Sequence, residues 1–336
     1  MTQNIETDVA IVGAGPVGLF AVFELGMLKL TSVLIDSLAE VGGQCTALYP
    51  EKPIYDIPAQ PSIEAGALIT QLEQQIAPFA APRLLGRQVN GLRGESGGFS
   101  LTTDQGDRVR AKAVIVAAGA GAFGPNRPPL DGLAAYEASG SVQYYVRRRE
   151  DLRGRRVVIA GGGDSAVDWA LALKDIARVA VVHRRPKFRA APESAARLDA
   201  AARNNEIELV IPYQLRGLAG TDGTLSAVEV ATLDGAVRSL PADVLLPFFG
   251  LSMDLGPIAA WGLQSEQHHV SVDPATCQTS QPGVFAIGDV ASYPGKLKLI
   301  LQGFSEAAVA AHAIFPIVHP DRALHFEYST SKGVPT

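Results

Sequence analysis

The sequence predicts an α/β chain holding two dinucleotide-binding, Rossmann-like βαβ units. Three observations carry this. The chain opens with a short apolar run that ends in a glycine-rich turn, the same pattern recurs near residue 160, and the length suits two domains. The chain has 336 residues, 47% of them hydrophobic, with a net charge of -5. Gly 34 and Pro 22 speak for many tight loops rather than a helical bundle.

Taken in order, Asp8 to Val12 reads as a buried strand, residues 14–26 show helical spacing of Val17, Phe20, Ala21 and Leu25, and Thr31 to Ile35 is again β-rich. Residues 37–62 hold glycines and prolines without a period and read as a long functional loop. Residues 63–79 form an amphipathic pattern with Ser62 as the expected N-cap. Strand-like segments follow around 83–92, 98–103 and 108–117. A Gly- and Pro-rich stretch at 119–132 then suits a connection. The opening pattern returns as the strand Val157 to Ala160, a glycine turn, a helix over 164–173 and the strand Val179 to Val182. A helix over 193–204, strands with a hairpin at Asp234-Gly235, the buried strand Pro282 to Asp289 and a helix over 305–315 complete the reading.

Composition narrows the function. No apolar run is read as long enough to span a membrane, and the N-terminus lacks the basic start of a secretory signal, so a soluble cytoplasmic protein is expected. The acidic balance argues against nucleic acid as a partner. Two distant cysteines, Cys45 and Cys277, exclude a disulfide framework, a Cys-rich zinc site and a local C-x-x-C pair. The six histidines show no paired metal spacing, so no metal is expected.

The first turn, Gly13-Ala14-Gly15-Pro16-Val17-Gly18, offers a pyrophosphate a helix N-terminus and a backbone approach without side chains. Asp36 closes the following strand, where a carboxylate accepts both hydroxyls of a ribose. The second turn reads Gly161-Gly162-Gly163-Asp164-Ser165-Ala166, and its second strand ends in His183-Arg184-Arg185, with Arg189 beyond. Guanidinium groups bind a 2'-phosphate where an acid would repel it, so this site selects NADP(H). Asp36 rejects that phosphate, and FAD is the natural ligand of the first site.

These residues, with Gly42-Gly43-Gln44 and Ile287-Gly288-Asp289, resemble the flavoprotein reductases of the thioredoxin-reductase-like group over nearly the whole chain. The resemblance implies an NADPH domain, residues 119–249, inserted into a discontinuous FAD domain of residues 1–118 and 250–336, with a C-terminal extension from about 318. Thioredoxin reductases carry a C-x-x-C before the second glycine turn, in a stretch that here has no cysteine. Glutathione-reductase-type enzymes place a C-x4-C after a Gly-Gly motif; Cys45 imitates its start, but the second position is Pro50. A disulfide relay needs two neighbouring sulfurs, so Cys45 is expected to be a packed thiol.

Leu48-Tyr49-Pro50, the His183 to Ala190 segment and a tail ending Phe326-Glu327-Tyr328-Ser329-Thr330-Ser331 resemble the ferredoxin (flavodoxin)–NADP+ reductases of this type. That resemblance implies hydride transfer between NADP(H) and FAD, then one-electron steps to or from ferredoxin or flavodoxin, in a homodimer. It implies Tyr49 and Tyr328 stacked on the two flavin faces, and FAD contacts from Gln44, Val89, Phe123, Asp289 and Thr330. It also aims the helix beginning near Gln302-Gly303 at the flavin. No catalytic acid or base is expected, because hydride transfer rests on positioning and on the cofactor's electronics. Arg147, Arg148, Arg149, Arg153, Arg155 and Arg156, with Lys296 and Lys298, are the expected basic docking groups. The alternatives are a related NADPH flavoprotein with a disulfide, quinone or small-molecule acceptor, and a non-enzymatic flavin-binding redox sensor.

Overall fold

A computed structural model describes residues 2–119, 121–324 and 333. The chain divides into two compact units, one formed by Met1–Phe123 with Met253–Thr336 and the other by Gly124–Ser252. The first unit is therefore discontinuous in sequence, and its boundaries fall three to five residues beyond those that the resemblance implies.

The first unit is built on a seven-stranded sheet. Asn4–Val12 lies at its centre, parallel to Ser32–Asp36 on one side and to Arg108–Val116 on the other. Both central strands are apolar and nearly fully buried in their second halves, as a strand covered on two faces must be. Beyond Arg108–Val116 the sheet forks: Gly98–Thr103 pairs antiparallel with its first half and Val284–Ala286 parallel with its second. The helices Pro16–Met27, Ala65–Ile76 and Ile300–Val318 pack on one face through Leu19, Leu25, Leu72, Ala310 and Ile314. Leu255, Ile258, Trp261 and Val270 join the core on the other face.

Three expectations need correction. Ser62 does not cap a helix: Ile63–Glu64 pairs with Pro53–Ile54 as a small hairpin, so the helix begins at Ala65 behind Glu64. The loop over 37–62 contains the one-turn helix Gln44–Ala47, entered through Gly43 at φ 56. The last helix spans Ile300–Val318, longer than expected, and by length and apolarity alone it would suffice to cross a membrane. Its Ala307, Ala310, Ala311 and Ile314 are completely buried in the first unit, which makes it a core helix here.

The second unit carries a four-stranded parallel sheet in the order Ile207–Val210, Arg178–Val182, Arg156–Ala160 and Val244–Pro247. The helix Asp164–Leu173 buries Ala166, Val167, Trp169 and Ala170. An antiparallel sheet of Gln214–Thr221, Thr224–Ala231 and Val237–Pro241 completes it, with the hairpin at Asp234-Gly235.

Candidate functional site

The first glycine turn uses its three glycines differently. Gly13 adopts φ +117, and a Cβ there would lie 2.2 Å from the Ala117 carbonyl oxygen. A Cβ on Gly18 would lie 2.0 Å from the Gly13 carbonyl oxygen, so helix and strand meet backbone to backbone. Gly15 has nothing within 4 Å of its absent Cβ; that space is open to a ligand. Gly15 and Pro16 begin the helix without a side-chain cap, which leaves N–H groups of the first turn for an anion.

That open space belongs to a cavity of about 400 Å³ lined by Gly13, Gly15, Pro16, Asp36, Gln44, Tyr49, Val89 and Asp289. The structure thus gathers eight of the expected FAD contacts around one volume. Gly18 works behind it in packing. Tyr328 and Thr330 lie outside the described residues, and so does the side chain of Phe123.

Asp36 accepts the Ala14 N–H on Oδ2 at 2.6 Å and the Leu38 N–H on Oδ1 at 2.8 Å. Burial raises its pKa, against the pull of these two backbone donors. Each oxygen keeps lone-pair capacity for a ribose hydroxyl. Asp36 therefore ties the turn together as well as presenting an acceptor, a double role that its position in sequence does not reveal.

Cys45, Tyr49 and Asp289 share one wall. Burial, reinforced by the charge on Asp289, pushes the Cys45 thiol up to about 12, so it stays protonated. Burial likewise raises the Tyr49 hydroxyl, which lies 3.5 Å from Gln44 Oε1. A neutral ring on the wall provides a flat apolar surface for a conjugated ligand.

Residues without a sequence signal also line the cavity: Arg87 and Gln88, Leu255 to Ile258, and Ile300. Ile300 opens a 19-residue helix that has no side-chain cap, and that end contributes positive dipole to the cavity. Gln302 and Gly303 do not line it. Gln302 donates to the Tyr293 hydroxyl at 2.8 Å, while a Cβ on Gly303 would lie 2.3 Å from Val17. They pack this helix rather than meet a ligand.

In the second unit, Gly161 adopts φ +158 with a Cβ position 2.7 Å from the Phe248 carbonyl oxygen, and Gly163 faces open space. Ala166 fills the third glycine position, fully buried. Asp164 accepts the Ala191 N–H at 2.8 Å, which pins the end of the basic loop, and Ser165 is exposed beside it. Arg184, Arg185 and Arg189 are exposed and, among the described residues, have no ion-pair partner. His183 differs from them. Its ring stacks on Phe188 at 5.1 Å and closes on Gly162, where a Cβ would come within 2.1 Å. Burial first, then the three arginine charges, lower its pKa, so it packs as a neutral ring.

The expected docking cations fare unevenly. Arg148, Arg153 and Arg156 pair with Asp151, Glu150 and Asp243. Lys296 is not a surface group at all: its side chain is 7% exposed and is ion-paired with Glu306. Among the described residues, no group of three or more His, Cys, Asp or Glu could hold a metal ion.

Comparison with known proteins places these features. The pyridine nucleotide-disulphide oxidoreductase family matches residues 7–313. A ferredoxin--NADP reductase of Acidiphilium cryptum is 76% identical over 336 residues, covering 100% of this chain and 99% of the relative. One of Granulibacter bethesdensis is 75% identical, covering 98% of this chain and 95% of the relative. Among solved structures, thioredoxin reductase of Lactococcus lactis superposes with a TM-score of 0.81 at 23% identity, covering 94% of this chain and 99% of that one. Thioredoxin reductase of T. acidophilum gives 0.80 at 23% identity, covering 92% and 98%. At that identity the structural likeness concerns the fold.

Proposed function

The chain belongs to the pyridine nucleotide-disulphide oxidoreductase family, and from that premise we propose that it is an FAD-dependent ferredoxin–NADP reductase. The observation that carries this reading beyond the family is the cavity wall itself. Cys45 is a lone, buried, protonated thiol beside Tyr49, and Pro50 stands where a second sulfur would be needed. Electrons reaching this cavity have no internal disulfide to enter, and the likeness to ferredoxin--NADP reductases supports a partner protein as their acceptor.

The chain's residues divide the work. The Gly13 to Gly18 turn holds the FAD pyrophosphate, Asp36 the adenosine ribose, and Gly288-Asp289 the ribityl chain. Tyr49 covers one face of the flavin ring and keeps water from it. The chemistry that the bound flavin supplies is the conversion of one hydride into two single-electron transfers. In the second unit the Gly161 to Gly163 turn takes the NADP(H) pyrophosphate, with Asp164, Ser165 and Ala166 opening its helix. Arg184, Arg185 and Arg189 take the 2'-phosphate, and His183 supports the turn from beneath. Gln44 and Val89 complete the FAD contacts, joined by Phe123, Tyr328 and Thr330 on the grounds of family likeness. The same likeness supports flavodoxin as a second acceptor and a cytoplasmic homodimer as the working form.

Two assays run together test the reading. Anaerobic addition of NADPH should bleach the flavin band, with NADH far less effective. Ferredoxin-dependent reduction of cytochrome c should then exceed thioredoxin-dependent disulfide reduction. Disulfide turnover without ferredoxin activity would overturn the assignment, and a flavin that NADPH does not reduce would favour a sensor.

A further inference from the structure

Behind the wall formed by Gly288 and Asp289 lies a buried charged cluster that the nucleotide reading does not use. Glu306, 3% exposed, stands in the second turn of Ile300–Val318. Its Oε2 accepts the Gly288 N–H at 2.7 Å. Its Oε1 accepts the Tyr293 hydroxyl at 2.5 Å and the Lys296 ammonium. The Gln302 amide donates to the same hydroxyl, and the Lys296 nitrogen sits 5.5 Å from the centre of the Tyr293 ring. Burial pushes the Tyr293 hydroxyl and the neighbouring Cys277 thiol up to about 12, so both are neutral. The charges of the cluster are then one cation and one anion.

A buried ion pair is a poor device for stability, because desolvating both charges offsets most of their attraction, and apolar residues of equal volume hold a fold as well. Here the pair is one hydrogen bond from Gly288, which adopts φ +73 and lines the cavity together with Asp289 and Ile300. In so dry a place a single uncompensated charge is felt strongly at the cavity.

We propose that Glu306 and Lys296 are positioning residues for the flavin: Glu306 fixes the Gly288-Asp289 turn through the Gly288 N–H, and Lys296 cancels its charge. The pair then adds no net charge to a cavity end that already carries the Asp289 carboxylate and the positive helix terminus at Ile300, so the balance of those two groups sets the field toward added electrons. The inference rests on this cavity being the FAD site.

The test is a redox titration of the flavin in the holoprotein, with FAD dissociation measured alongside. Lys296→Met leaves a bare carboxylate and should lower the midpoint potential. Glu306→Gln leaves a bare ammonium and should raise it. The double variant should return close to the wild type, as should the charge-conserving Lys296→Arg. Each single change is expected to alter the relative affinity for reduced and oxidised flavin about tenfold, or ~30 mV for two electrons. If the single variants do not fold, Tyr293→Phe keeps both charges, removes one donor to Glu306, and should lower the potential by less. Shifts in the same direction for the two charge variants, or lost thermal stability with unchanged potentials, would overturn the proposal. So would an unchanged potential in Tyr293→Phe. Wild-type protein that neither carries nor binds FAD would instead sink the underlying flavin-site reading.

Discussion

The two glycine turns of this chain have the same beginning and different surroundings. In the first unit the helix comes down onto bare backbone, with Gly18 against the Gly13 carbonyl, and in the second the same contact leaves room for the methyl of Ala166. The acid after the first turn is folded inward onto two backbone N–H groups, while the arginines after the second stand exposed and unpaired among the described residues. One turn draws its carboxylate inward and the other offers charges to solvent. The difference teaches that one motif fixes the backbone of a turn, and the residues around it set how that turn is packed and which charges it presents.

The sharpest way to break this comparison is to exchange the third positions. Gly18→Ala drives a Cβ to 2.0 Å from a backbone oxygen and should destabilise the first unit by about 3 kcal/mol or more. Ala166→Gly should cost the second only about 1 kcal/mol. Thermal unfolding of the two variants measures this directly, and equal losses would refute the difference in packing. Next come the arginines: replacing Arg184 or Arg189 by Ala should raise the KM for NADPH about 10- to 100-fold, from roughly 1.5–3 kcal/mol of charge-assisted hydrogen bonding. Use of NADH should change little. Gly15→Ala has space for its methyl, so the protein should fold while retaining FAD about tenfold less tightly, as read from flavin content after gel filtration.

The smallest effect concerns pH. Asp243 is held below its usual 3.8 chiefly by hydrogen bonding from Arg156, so its contribution is present above that value and lost as pH falls through the folded-state pKa. Asp36 is held above 3.8 by burial, so its contribution is present below that value and lost as pH rises through its elevated pKa. Acidifying the FAD-free protein should remove the Asp243 contribution from the second unit, while in the first it relieves Asp36 but removes the contributions of Asp8 and Asp107, which are also held below 3.8. Asp243→Asn should flatten the acid loss of the second unit, whereas Asp36→Asn should steepen that of the first. A common direction in the two would end the contrast.

Much of the site could be read from the chain because its chemistry is local. A turn, a helix start and an acid two dozen residues later fall within one βαβ unit, so Gly13, Gly15 and Asp36 announce themselves. Arg87, Gln88 and Leu255 to Ile258 reach the same cavity from irregular loops, where no period marks them. Ser62 had the chemistry of a cap, yet pairing of Ile63–Glu64 with Pro53–Ile54 moved the helix start past it. Lys296 had the look of a surface cation, and only the fold supplies the buried carboxylate ten residues on. Local propensity yields to tertiary pairing at both places.

The forked sheet of the first unit has a consequence for synthesis. Val114, Ile115 and Val116 find their outer neighbour in Val284–Ala286, on the far side of the inserted unit. On the ribosome that apolar edge stands open while about 170 further residues are made, roughly 10–30 s at 5–20 residues per second. An open strand of this kind is a template for pairing with other chains. The inserted unit, being continuous, can complete its own sheet during the same interval, so the second unit is finished first and the one that begins the chain closes last.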